Sequence, residues 1–335
     1  MKESTSKKPI LPLIRLNLVQ PFLDELKRRK IDPEEVLVDL AISKKNLNNP
    51  DVFISAPKMY SLAENLSILS GDPYFGVHVG SQLDPLSWSP LATAAESSST
   101  VGEFLLRFME NANHDENSVI YSLSSVGSRS TFYERRVTDG GLTPRHNDGF
   151  TIAFLVTLIR RSVGELWDGA RVTANVCDPA AVPEVYLGVR TAITDTLGPS
   201  ISFPTNWLIQ PLPGRNLGVT KESVSAVSPP SRTFINALHV TLQPHIHEFD
   251  LSAHRVAEIC GLNKRTMARR LQTRGTSLRK ELKRLRMSRA EATLLGTNLP
   301  ISEVALMIGY ANPTVFSRAF KRWTGVSPRQ YRAKQ

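Results

Sequence analysis

Along residues 11–212 the spacing of apolar positions is helical for long stretches and switches to a period of two in the middle. Over residues 11–40 it predicts a helix with Phe22, Leu23 and Leu26 on one face and Lys27, Arg28, Arg29 and Lys30 at its end, where basic groups complement the carbonyl end of the helix dipole. Asp32-Pro33 opens a second, short helix. Met59, Leu62, Ala63, Leu66 and Leu69 form an amphipathic stripe that Gly71-Asp72-Pro73 ends, and Phe104, Leu105 and Phe108 point inward from a helix over 101–109. Near Ser118 the alternation of Val119, Tyr121 and Leu123, with Thr131, Tyr133 and Arg135 as the partner run across Gly127, predicts a β-hairpin. A helix over 150–167, a strand over 171–176, a short helix over 181–189 and closing strands over 201–203 and 207–209 complete the pattern. It predicts an α+β domain of helices plus a mostly antiparallel sheet.

Residues 220–231 lose this periodicity and end in Pro229-Pro230, so 221–231 is read as a linker between a domain over 1–220 and one over 232–335. Beyond it the pattern is wholly helical. After a helix over 234–242, Asp250-Leu251-Ser252 offers a cap to a helix carrying Val256 and Ile259 inward. Gly261-Leu262-Asn263 then turns the chain into a helix that starts at Lys264 and buries Met267 and Leu271. A long helix over 276–295 carries Arg279, Lys280, Lys283, Arg284 and Arg286 and spans roughly 30 Å at about 1.5 Å per residue. Pro300 opens a helix with Val304, Ala305 and Ile308 inward; Gly309 turns it into another, over 313–323, with Val315, Phe316, Ala319 and Phe320 assigned to the core. The second domain is thus read as all-α, with two helix-turn-helix units, about 252–273 and 301–323, joined by a linker helix.

Charge changes the picture. The formal net charge is +10, yet residues 250–335 hold 18 Lys or Arg against 5 Asp or Glu, while residues 1–249 hold 23 against 26. Such asymmetry marks the last quarter as a surface for a polyanion. With Met267 and Leu271 inward, Arg265, Ala268 and Arg269 share the outer face of one helix; Thr314, Ser317, Arg318 and Lys321 share a face of the other at i, i+3, i+4 and i+7. Arginine can bond guanine O6 and N7 together, and a small apolar side chain can meet a thymine methyl. Two such helices on one side of B-DNA would enter successive major grooves, about 34 Å apart.

Other chemistry finds no pattern. The glycine, serine and histidine signatures of nucleotide binding, serine hydrolysis and zinc proteolysis are missing, so no enzyme activity and no cofactor are expected. His239, His245 and His247 are read as surface or helix-end residues rather than metal ligands. Cys177 and Cys260 are far apart and outside any C-x-x-C pattern, which fits a reducing cytoplasm. The N-terminal stretch is polar, and the longest apolar run, 150–159, is about half of what a bilayer requires, so neither export nor a membrane segment is expected.

Residues 251–332 resemble the DNA-binding domain of AraC/XylS-type transcription regulators. The resemblance is carried by Ala257, Gly261, Arg265, Arg269 and Leu271 with Gly275-Thr276-Ser277, and by Ile301, Val304-Ala305, Ile308-Gly309-Tyr310, the run from Phe316 to Lys321, Gly325, Ser327-Pro328, Tyr331 and Arg332. It implies base reading by Arg265, Ala268 and Arg269 and by Pro313, Thr314, Ser317 and Arg318, with Lys264 and Lys321 completing the expected DNA-binding set. Asn263 stands where the family usually has a serine cap, and Pro313 has no side-chain hydrogen bond to offer a base. GDPYFGVHVGSQL from Gly71 to Leu83 and ISFPTNWLIQPLP from Ile201 to Pro213 resemble the variant arabinose-binding-type domain of a subgroup. Helix-rich residues 1–120 depart from the β-barrel sensor of the best-known members, so no effector-binding residue is carried over. The expectation is a sequence-specific regulator of promoter DNA, an activator working with RNA polymerase as a homodimer, controlled by a small-molecule effector. The alternative is a constitutive regulator whose N-terminal domain only mediates dimerisation or partner binding.

Overall fold

In the computed structural model, which describes residues 11–47, 49, 51–84, 88–138, 143–194, 196–212 and 233–333, the chain divides into two units, one over residues 12–231 and the other over residues 232–335 with residues 1–11. The expected linker, 221–231, lies outside the described residues.

The N-terminal unit runs β1 (Leu13–Arg15), α1 (Gln20–Arg28), α2 (Glu34–Asp39), α3 (Lys44–Leu47), β2 (Phe53–Ser55), α4 (Ala56–Ser70), α5 (Phe75–Gln82), α6 (Ser89–Glu96) and α7 (Val101–Ala112). It continues with β3 (Val119–Val126), β4 (Arg129–Arg136), α8 (Arg145–Val163), β5 (Thr173–Val176), α9 (Glu184–Leu187), β6 (Arg190–Ile193) and β7 (Ser200–Pro204). One five-stranded sheet, in the order β3-β4-β7-β5-β6, is antiparallel except where β5 meets β6; β1 and β2 pair separately. The helix-plus-antiparallel architecture expected from the pattern is therefore present.

Two apolar clusters build this unit. One joins α1, α2 and α4 to β1 and β2 through residues such as Leu16, Leu26, Leu62 and Leu66. The other fills the space between the sheet and helices α6, α7 and α8, with Phe104, Phe132, Ile159, Ile201 and Trp207 at its centre. Helix α8 serves both, giving Phe150 to the first and Ile152, Leu155 and Ile159 to the second. Such a helix is apolar nearly all round, as a helix covered on several sides must be. Its neighbour α5 approaches at backbone distance because two glycines one turn apart face it. A Cβ on Gly76 would sit 2.0 Å from the His146 carbonyl oxygen, and one on Gly80 2.3 Å from that of Phe150. The GDPYFGVHVGSQL stretch thus carries a helix-packing surface.

The basic run at the end of α1 is a helix-end feature, as expected: the Arg29 guanidinium donates to Glu25 (2.6 Å) and to Asp72 (2.8 Å). Three expectations are corrected. In the hairpin the buried face of β4 is Ser130, Phe132, Glu134 and Arg136, one residue out of register from the Thr131, Tyr133 and Arg135 set. A pattern reader avoids burying a glutamate and an arginine, but here Arg136 pairs with Asp148 and Thr151 donates to Glu134 (3.0 Å). The stretch over 207–209 is not a strand; Thr205–Trp207 is a 3-10 turn that buries Trp207. Residues 11–40 are not one continuous helical run, since β1 and a 3-10 turn over Leu16–Val19 precede α1.

The C-terminal unit is all helical, with α10 (Phe234–Leu242), α11 (Ala253–Ile259), α12 (Lys264–Gln272), α13 (Leu278–Gly296), α14 (Ile301–Met307), α15 (Pro313–Thr324) and α16 (Pro328–Arg332). Val256, Ala257, Ile259, Met267 and Leu271 are buried from the first helix pair. Ala290, Leu294, Val304, Ala305, Ile308, Phe316 and Phe320 form the core of the second, with Tyr310, Trp323 and Tyr331 packed against it. Val315 is corrected: it is 49% exposed, because the buried stripe of α15 is set by Phe316, Ala319 and Phe320.

Candidate nucleic-acid interface

Helices α12 and α15, the second of each pair, are each held at the start by an asparagine. The Asn263 side chain accepts the Thr266 amide (2.7 Å), and Asn312 accepts the amides of Thr314 (2.8 Å) and Val315 (3.3 Å). These bonds satisfy amides that a helix start leaves open, and they fix where each helix begins. Ser252 and Ser277 cap α11 and α13 in the same way. Gly261 and Gly309 sit in the two inter-helix turns at φ of 61° and 77°, where a side chain is disfavoured. The turn at Gly309 is also crowded: an added Cβ would lie 2.6 Å from the Ile246 carbonyl oxygen and 2.9 Å from that of Glu248.

On α12, burial of Met267 and Leu271 leaves Lys264, Arg265, Ala268 and Arg269 exposed together. On α15, Thr314, Arg318 and Lys321 are exposed and Pro313 and Ser317 half-buried. Among the described residues none of the five cations in this set enters an ion pair or hydrogen bond, so their charge is available to an outside partner. Exposed Val315 lies three residues before Arg318, on the flank of the same face. Its place four residues before buried Ala319 gives it the spacing of a core position in the sequence.

Several other basic residues of this unit are occupied within it. The guanidinium groups of Arg270 and Arg274 lie over the Phe234 ring, 5.6 and 5.0 Å from its centroid, and burial beside Arg274 and Arg269 lowers the Arg270 pKa from the usual arginine value. Arg286 covers Tyr310 and donates to the Glu248 carbonyl (3.1 Å). Arg332 donates to the carbonyls of Leu294 (3.3 Å) and Leu299 (2.6 Å), near the end of α13. Glu281, fully buried at the start of α13, accepts from Arg284 (2.8 Å) and Thr276 and meets His239 (2.9 Å). His245 pairs with Glu248 (2.6 Å), so two of the three histidines singled out from sequence are engaged by carboxylates. The basic excess therefore divides into cations that tie the helices together and cations that face outward on α12, α15 and the exposed positions Arg279, Lys280 and Arg289 of α13.

Comparison with known proteins gives this arrangement its context. Residues 256–334 match the model of a helix-turn-helix domain, and residues 31–211 match that of the arabinose-binding domain of AraC transcription regulators, N-terminal. The HTH-type transcriptional regulator VirS of Mycobacterium tuberculosis is 23% identical over 336 residues, covering 96% of either chain. VqsM of Pseudomonas aeruginosa, also an HTH-type transcriptional regulator, is 36% identical over 76 residues, 23% of each chain. Among solved structures, that of the transcriptional regulator CdpR from Pseudomonas aeruginosa aligns over 95% of this chain and 98% of its own, at 20% identity and a TM-score of 0.42. No described helix is long and apolar enough to cross a membrane. With more than half of its length matched by the N-terminal model and the rest largely by the helix-turn-helix model, the chain belongs to the AraC family of DNA-binding transcription regulators.

Proposed function

We propose that the protein is a cytoplasmic activator that reads promoter DNA through two unequal helix-turn-helix units and is controlled by a small molecule through its N-terminal domain. The observation that carries the DNA-reading part is the pair of capped helices whose outward faces hold cations with no internal partner. Arg265 and Arg269 are assigned to guanine edges, Ala268 to a thymine methyl, and Lys264 to phosphate. On α15, Thr314, Ser317 and Arg318 are the base contacts, Pro313 packs against the duplex, and Lys321 meets phosphate. Val315 joins them as a second methyl reader, because an exposed valine beside an arginine on such a face suits thymine. Helix α13, 19 residues and about 28 Å long at 1.5 Å per residue, supports a separation close to one turn of B-DNA.

The domain division at 221–231, homodimerisation and contact with RNA polymerase are part of the same proposal. A transcription assay with the purified full chain, RNA polymerase and a promoter carrying its site tests it. The expected result is transcription that rises with the protein and responds to a small molecule. Protein-dependent transcription indifferent to every small molecule tried, from a stable dimer, would favour the constitutive reading; no effect of the protein on transcription would remove the activator assignment.

A further inference from the structure

Between the two apolar clusters of the N-terminal unit lies a cavity of about 90 Å³. By the measure in which a single water needs about 10–15 Å³, it admits a molecule of several heavy atoms. Protein interiors are otherwise close-packed, so a space of this size walled by aromatic side chains is the default place for a ligand. Its apolar wall includes Phe22, Trp88, Phe108, Phe150 and Phe154.

Beside the neutral Tyr60, Tyr121, Asn147 and Thr151, the ionisable acids of the wall are all of one kind. Asp115, Glu116 and Glu134 line the cavity, and neither lysine nor arginine does. Two of these carboxylates are matched by the protein: Asp115 accepts from Arg15 (2.7 Å), and Glu116 accepts from Tyr121 (2.8 Å) and from Ser118. Glu134 is different. It is 4% exposed, its Oε2 accepts from Thr151 (3.0 Å), and among the described residues no donor reaches Oε1. The charged groups acting on it are Arg136 on its own strand, which bonds Asp148, together with Glu116 and Asp148 itself. Burial outweighs Arg136 and pushes the Glu134 carboxyl up to about 8. With Oε2 taken by Thr151, Oε1 is the acceptor that the Glu134 carboxyl leaves to a ligand's donor, and a cation beside it would draw the carboxyl back to its ionised form.

We propose that this cavity is the effector site and takes a small amphiphile bearing a protonated amine, its ammonium donating to Oε1 of Glu134 and its apolar body lying among Phe22, Phe108, Phe150 and Phe154. The aromatic wall adds cation–π attraction for the same head group. An anionic ligand would bury its charge beside Asp115 and Glu116 with no lysine or arginine of the wall to meet it. The inference rests on the proposed small-molecule control and names its ligand class.

The test uses the full chain at about pH 8.5, where the Glu134 carboxyl is largely ionised and the amines are still largely protonated, and sets of equal skeleton: benzylamine, benzyl alcohol and benzoate, then pentylamine, pentanol and pentanoate. Calorimetry and thermal shift are expected to show binding by the amines in preference to their partners. Glu134→Gln is expected to weaken the amines about tenfold or more while leaving the alcohols unchanged, as loss of a charge-assisted bond requires. Because the charge series is read on the unaltered protein, it decides the matter even where the variant folds poorly. Equal or better binding by alcohol or carboxylate, unchanged amine affinity in a folded Glu134→Gln, or binding by no compound would overturn the amine site. Amine binding that leaves promoter affinity unchanged would uphold the site and sink the small-molecule control.

Discussion

The two helix-turn-helix units share a backbone plan and differ in what they spend residues on. The first has a small aliphatic core of Val256, Ala257, Ile259, Met267 and Leu271, and presents Lys264, Arg265 and Arg269 outward. The second is built around aromatic residues, with Phe316 and Phe320 buried and Tyr310, Trp323 and Tyr331 packed on them, and its candidate reading face holds Arg318 and Lys321 with Thr314, Val315 and Ser317. Arginine pairs with guanine through two bonds, whereas a hydroxyl offers one adaptable bond. On the proposed reading, more of the sequence preference falls to the first unit and relatively more of the docking to the second.

The largest expected effect falls on the second unit's turn. Gly309→Ala places a methyl against two backbone carbonyls at a φ of 77°, and should cost about 3 kcal/mol or more of stability. Gly275, at a φ of 69° with open space where its Cβ would be, should cost only about 1–2 kcal/mol on the same substitution. Denaturant unfolding of both variants checks this, and equal losses would break the account of a crowded turn. Next comes Arg269→Ala, expected to weaken a good site by about 1–3 kcal/mol and to leave random duplex nearly untouched. Loss of the same size on every sequence would make Arg269 a phosphate contact. Ser317→Ala, removing a single hydroxyl from the second helix, should cost about 0.5–1.5 kcal/mol at that site, and a loss above that of Arg269→Ala would invert the comparison. The smallest change at fixed salt belongs to Lys280→Ala on α13, seen mainly as a salt dependence of binding reduced by about one unit in slope. A base-dependent loss there would show that α13 also reads sequence.

The helices α10 to α15 are legible in the sequence because they carry local signals: Ser252 and Asn263 at starts, Gly261 and Gly309 in the turns, and stripes of Val256 with Ile259 and of Phe316 with Phe320; the short α16, opened by Ser327, is not anticipated. Val315 misleads because it stands four residues before buried Ala319, as a core position would, yet lies at the edge of the stripe and is half exposed. In the N-terminal unit the helices 56–69 and 101–109 were recoverable for the same reason. The hairpin was found, but its inner face was misassigned because Glu134 and Arg136 are buried through partners on α8, 12 to 17 residues further along the chain. Strand β6 and helix α5 escaped notice altogether, the one short and largely exposed, the other recognisable only once Gly76 and Gly80 are seen against α8. The cavity, too, is a property of two clusters meeting, and no stretch of sequence announces it.

The central claim, a reader of DNA with two unequal heads, is tested most directly by selecting binding sites for the full chain from a library of random duplexes at one salt concentration, in parallel with Arg269→Ala and Ser317→Ala. The account predicts one enriched site with two half-sites about 10 base pairs apart. The stronger base preference should lie in the half that Arg269→Ala erases, with a weaker preference in the half that Ser317→Ala blurs. No enriched sequence, or an enriched site that both variants leave unchanged, would contradict it.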